Sequence, residues 1–159
     1  MSNPGTHAYL RTKILTASPS ELRLMLFDGA LKFTRSGRAE LVKEKPDFES
    51  LFEGFSRAKN IVMELANGLN RTQDPELCDR MSAVFHYVYT LLVEANLERD
   101  AAKADEAIEL LAYERETWAL AVEQAQTQNV QAVAASVTPV NPYVAKANPV
   151  SHSPLSRSA

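Results

Sequence analysis

The spacing of the prolines constrains this chain more than any other feature. Pro19, Pro46 and Pro75 punctuate the first 127 residues, while Pro139, Pro142, Pro149 and Pro154 crowd into the last 32. Proline fixes φ and lacks an N–H, so it suits the first turn of a helix and breaks the interior of one. Ser18-Pro19-Ser20-Glu21 is a capping box with proline at the first helical position. Asp74-Pro75 repeats the cap-then-proline signature, and Pro46-Asp47 is a break. The stretches between carry apolar residues at helical spacing, with no β-alternation of useful length. The pattern predicts helices over about 19–42, 48–69 and 75–97. A charged joint at 100–105 precedes a fourth helix to about residue 126, and a shorter helical piece precedes Thr16. Four long helices with short joints make an all-α, antiparallel up-down four-helix bundle the natural architecture.

The end of the chain has a different composition. Of the residues from Gln128 to Ala159, 21 are Ala, Val, Ser or Pro, and none is acidic. Such a stretch buries too little to repay the entropy of ordering. The expected organisation is a cap segment at 1–17, a helical bundle at 18–127 and a disordered tail at 128–159. The tail's Lys146 and Arg157 give it +2, so the first 127 residues hold −5 of the net −3. That balance argues against nucleic acid gripped by charge. No segment is apolar enough to span a bilayer, and residues 1–6 lack a secretory signal, so the expected compartment is the cytoplasm.

Placed on a helical wheel, the residues supply more apolar surface than one core requires. The main stripes are Leu22, Leu26, Gly29, Phe33 and Gly37; Phe48, Leu51, Phe52, Phe55, Val62 and Leu65; Leu77, Met81, Val84, Phe85, Val88 and Leu92; and Ala107, Ile108, Leu111, Trp118 and Val122. Left over are Leu24, Phe27 and Leu31 on the first long helix, His86, Tyr89, Val93 and Leu97 on the third, and Leu110, Tyr113 and Leu120 on the fourth. A first helix packed on both sides accounts for Leu24, Phe27 and Leu31. The third-helix stripe reads as a partner groove, because a soluble bundle seldom leaves such a surplus without use. Gly29 and Gly37 each cost about 1 kcal/mol of helix propensity, which makes sense where another helix approaches closely.

Catalytic chemistry is hard to place on these residues. The five glycines never form a phosphate loop. Ala83 stands three residues before His86, so the Glu-x-x-His pattern of a di-iron bundle is missing. Cys78 has no neighbour that suggests activation. The expectation is no catalytic residue, no metal and no cofactor. Alternatives weighed are a helical phosphotransfer domain using His86 and a self-associating structural bundle.

The segment Ala8-Tyr9-Leu10-Arg11-Thr12-Lys13-Ile14-Leu15-Thr16-Ala17-Ser18-Pro19, followed by Glu21-Leu22 and Leu24-Met25-Leu26-Phe27-Asp28-Gly29-Ala30, resembles the flagellin-specific export chaperones, the FliS family. Arg57 to Leu65, Tyr87-Val88-Tyr89, Leu92 to Leu97 and Trp118 agree in order and spacing. The resemblance covers about residues 8–126. Phe27 and Phe85 stand where the family pattern usually has tyrosine, and Thr90-Leu91 replaces a frequent basic pair.

The resemblance implies a cytoplasmic chaperone, not an enzyme. It binds the disordered C-terminal segment of flagellin one to one, prevents premature polymerisation and delivers it to the flagellar type III export gate. It leaves room for a co-chaperone on the outer faces and implies no nucleic acid and no membrane insertion. Carried over by residue, Tyr9, Leu10, Ile14 and Leu15 form an N-terminal cover over the groove. Ile61, Tyr89, Val93, Asn96 and Leu97 form the client-binding groove, to which the wheel adds His86 and Tyr113. Asn60 and Asn96 are placed to pair with client backbone amides. Ordering a disordered client costs several kcal/mol, which a long apolar groove offsets at about 25 cal/mol per Å² buried.

Overall fold

The computed structural model describes residues 4–136. Among them are five α-helices and no strand: α1 (Pro4–Thr16), α2 (Pro19–Leu41), α3 (Phe48–Asn67), α4 (Pro75–Glu98) and α5 (Ala101–Ser136). The proline punctuation explains their starts. At α2 the Ser18 hydroxyl accepts the Glu21 N–H at 3.2 Å, and the Glu21 carboxylate accepts the Ser18 N–H at 2.7 Å. Asp47 caps α3 by accepting the Glu49 N–H at 3.1 Å. Asp74 caps α4 by accepting the Leu77 N–H at 3.0 Å, with Pro75 in the first turn.

Two differences from the expected helix boundaries lie at α5. The charged joint expected at 100–105 shrinks to Arg99 and Asp100. Arg99 ends α4 in the left-handed region (φ 59°), and Asp100 accepts the Ala102 N–H at 2.8 Å. The helix then runs to Ser136, nine residues into the segment expected to be disordered. The reason is local. The first proline of that segment is Pro139, and residues 128–136 are mostly Gln, Ala and Val, which a helix accepts. The expectation for 137–159 lies outside the described residues. Residues 125–136 form the described part of a second unit and are exposed throughout.

One hydrophobic core draws on α2, α3, α4 and α5. Phe27, Phe55 and Phe85 are fully or almost fully buried, with Leu51, Leu65, Leu92 and Leu111 around them. Residues predicted as surplus on α2 are therefore its centre: Phe27 and Leu31 are buried, whereas Leu22, Leu26 and Phe33 of the predicted main stripe are half-buried. The cause is that α2 is covered on two sides. Toward α3, Gly37 and Gly54 let the backbones meet: a Cβ on Gly54 would lie 2.9 Å from the Gly37 nitrogen. Toward α5, Arg115 pairs with Asp28 at 2.8 Å and Arg38 with Asp105 at 2.8 Å. The Trp118 indole N–H donates to the Ser20 carbonyl at 3.2 Å.

A buried guanidinium near the start of α2 reaches three other helices. Arg23, only 9% exposed, donates to the Leu65 carbonyl at 3.0 Å, near the carbonyl-rich end of α3. It lies 5.0 Å from the Trp118 ring, 5.8 Å from Phe85 and 6.0 Å from Phe27. Its Nε has no hydrogen-bond partner, and burial lowers its pKa. Phe27 and Phe85, where the resemblance expects tyrosine, are thus two of the rings facing this cation.

Candidate functional site

The predicted groove residues do not all come together. His86, Tyr89, Val93, Asn96 and Leu97 recur three or four residues apart on the outward side of α4. Tyr89 is 36% exposed and Leu97 74%, while Val93 and Asn96 are half-buried. His86 is exposed, its Nδ1 2.8 Å from the Ser82 carbonyl. Ile61 instead faces α2, since its Cδ1 would lie 3.2 Å from a Cβ on Gly29. Asn60, beside it on α3, is exposed. Tyr113, 70% exposed, sits on α5 and lines a cleft with Leu77 and Val84 of α4.

Two residues assigned to the core belong instead to the surface beside α4. Phe48 and Phe52 lie one turn apart on α3 and are 59% and 60% exposed. The Arg99 guanidinium at the end of α4 lies 4.7 Å from the Phe48 ring. Farther along, the Lys59 ammonium lies 6.0 Å from the Tyr89 ring. Phe52 falls between these two contacts along α3. The α3/α4 edge therefore presents Phe48, Phe52, Tyr89, Val93 and Leu97 as one row. Their spacing fitted a core stripe equally well, because a wheel shows which side of a helix is apolar and not whether another helix covers it.

Charged contacts hold α4 under this row. Lys103 at the start of α5 pairs with Glu94 at 2.6 Å and Glu98 at 2.8 Å, which raises the ammonium pKa. The Tyr87 hydroxyl donates to Glu106 at 2.7 Å, and that bond raises the phenol. The predicted cover residues lie on α1. Tyr9, Leu10, Ile14 and Leu15 are all exposed there and are not buried against Tyr89, Val93 or Leu97. At the end of this helix Lys13 and Thr16, with Ala17 just beyond, line a hollow with Leu24, Met25 and Arg115. Among the described residues, no cluster of three or more His, Cys, Asp or Glu could hold a metal ion, and no helix is long and apolar enough to cross a membrane.

A closed helical core with an exposed apolar row beside it places the chain among helical bundles of the kind that can take a partner segment on such a surface. The family model described as "Flagellar protein FliS" matches residues 1–125. The chain is 37% identical over 123 residues to the flagellar secretion chaperone FliS of Bacillus subtilis (strain 168), covering 77% of this chain and 89% of that one. It is 34% identical over 119 residues to the flagellar secretion chaperone FliS of Salmonella typhimurium, covering 72% and 87%. The namesake from Escherichia coli (strain K12) is 30% identical over 122 residues, covering 72% and 86%. The chain belongs to the FliS family, a family of flagellar chaperones and not of enzymes.

Proposed function

We propose that this chain is a cytoplasmic chaperone for the C-terminal segment of flagellin. It holds that segment one to one, keeps it from polymerising and hands it to the flagellar type III export apparatus. The observation that carries the reading is the row of exposed Phe48, Phe52, Tyr89 and Leu97, with half-buried Val93 among them, in a chain of this family. Val93 and Leu97 give the client apolar contact, and Asn96 offers an amide to its backbone. The working unit is residues 18–127 as an antiparallel up-down four-helix bundle. Contacts such as Arg23 with Leu65 and Gly37 with Gly54, early against late and late against early, support that topology.

In this reading the tethered apolar residues of α1 compete with the client. Tyr9, Leu10, Ile14 and Leu15 reach the row by a swing at Ala17-Ser18, at an effective concentration on the order of mM. Calorimetric titration with a flagellin C-terminal peptide tests both points. Val93→Asp abolishes the heat of binding while helical circular dichroism stays intact, and deletion of residues 1–15 tightens binding. Absence of heat with the unaltered chain refutes the flagellin reading. Unchanged affinity after the deletion refutes the competition.

A further inference from the structure

The edge of α4 that faces α5 carries a second opening. Leu77, Met81 and Val84 of α4 and Tyr113 and Trp118 of α5 wall a cleft of about 480 Å³. Leu77 is 49% exposed, so the apolar wall is open to solvent. Among these side chains stands one carboxylate, Glu114. It is half-buried, and burial pushes its carboxyl above the usual range.

Two neighbouring cations are already committed. Arg80, at the cleft, pairs with Glu76 at 2.8 Å. Arg115, next in sequence, pairs with Asp28 at 2.8 Å and Glu116 at 3.0 Å. A carboxylate withdrawn from water without a partner is costly, and a cation arriving in the cleft removes that cost.

We propose that the cleft between α4 and α5 docks a second apolar segment of the client, one that carries a lysine or arginine to pair with Glu114. The inference rests on the flagellin reading and adds the chemistry of a second contact. Charge selects the occupant: an apolar segment without a cation leaves Glu114 stranded, and an acidic segment meets like charge. Geometry permits one client to reach both places. The row at Tyr89 and Val93 and the cleft at Val84 share α4, a helix about 10 Å wide, which roughly three extended residues cross.

The test is calorimetric titration of the full chain with the flagellin C-terminal peptide and with versions in which each Lys or Arg is replaced singly by Met. Glu114→Gln weakens binding about tenfold. Ala121, exposed, also lines the cleft, and Ala121→Arg, which fills it and offers its own guanidinium, weakens binding at least as much. One peptide replacement weakens binding to the unaltered chain and adds no further loss on Glu114→Gln. Unchanged affinity in both variants with retained helical circular dichroism, or no peptide cation that couples to Glu114, overturns the cleft and leaves the flagellin reading standing. Variants that change sedimentation of the chain alone, with the titration unmoved, assign the cleft to a second copy and also overturn the proposal. No heat with the unaltered chain removes both readings together.

Discussion

At the scale of single residues, the α2/α3 crossing separates two glycines that look alike in sequence. A Cβ on Gly54 would meet Gly37 backbone at 2.9 and 3.1 Å, and backbone cannot turn aside. A Cβ on Gly29 would meet only the terminal carbon of Ile61 at 3.2 Å, the flexible end of a side chain. Gly54→Ala therefore costs about 1–3 kcal/mol of stability despite alanine's better helix propensity. Gly29→Ala is close to neutral, and urea unfolding of the two variants checks the contrast. A close approach at Gly37 was legible from its propensity cost on a core face. Gly54 was not, because nothing in its local sequence reveals which backbone comes near. Arg23 was likewise invisible: a guanidinium between helix residues reads as surface, and only the arrival of Trp118 and Phe85 makes it interior.

At the scale of elements, the caps make stability depend on acid. The Ser18 backbone N–H, followed by its hydroxyl, lowers the Glu21 carboxyl. The Lys43 ammonium, followed by the Asp47 N–H, lowers Glu40. The Ser50 hydroxyl and the Glu49 N–H lower Asp47. A carboxyl depressed in the folded state contributes stability above its unfolded value and loses it as pH falls through its folded value. Thermal melts thus decline below the ordinary carboxylate range. Glu40→Gln lowers the melting temperature at neutral pH and makes the acid decline shallower. Glu114 works in the opposite sense, since its protonation relieves a burial penalty. Helix starts were readable because caps and prolines are local chemistry. The end of α5 was not, because the prolines beyond residue 136 lent their character to Gln- and Ala-rich sequence that they do not interrupt.

At the scale of the whole molecule, the surplus of apolar residues was legible while its distribution was not. Counting stripes showed that more apolar surface existed than one core uses. The two apolar sides of α2 already pointed to a central helix with Phe27 inside, as found, whereas placing Phe52 outside required knowing that α3 has a bare edge. The same arrangement sets an order of assembly. Contacts between α2 and α3 close short loops, whereas Trp118 meets Ser20 and Arg23 only after nearly the entire described chain has been made. Until then the Arg23 guanidinium keeps its water. A chain still on the ribosome therefore carries a hydrated charge at the heart of its unfinished core, which opposes collapse around the wrong partner. The expulsion of that water is the closing event of folding. Trp118 is the one tryptophan in the sequence, so its fluorescence reports the docking of this part of α5 onto the core. In refolding it lags behind the helical circular dichroism signal, and simultaneous recovery of the two signals would contradict this order.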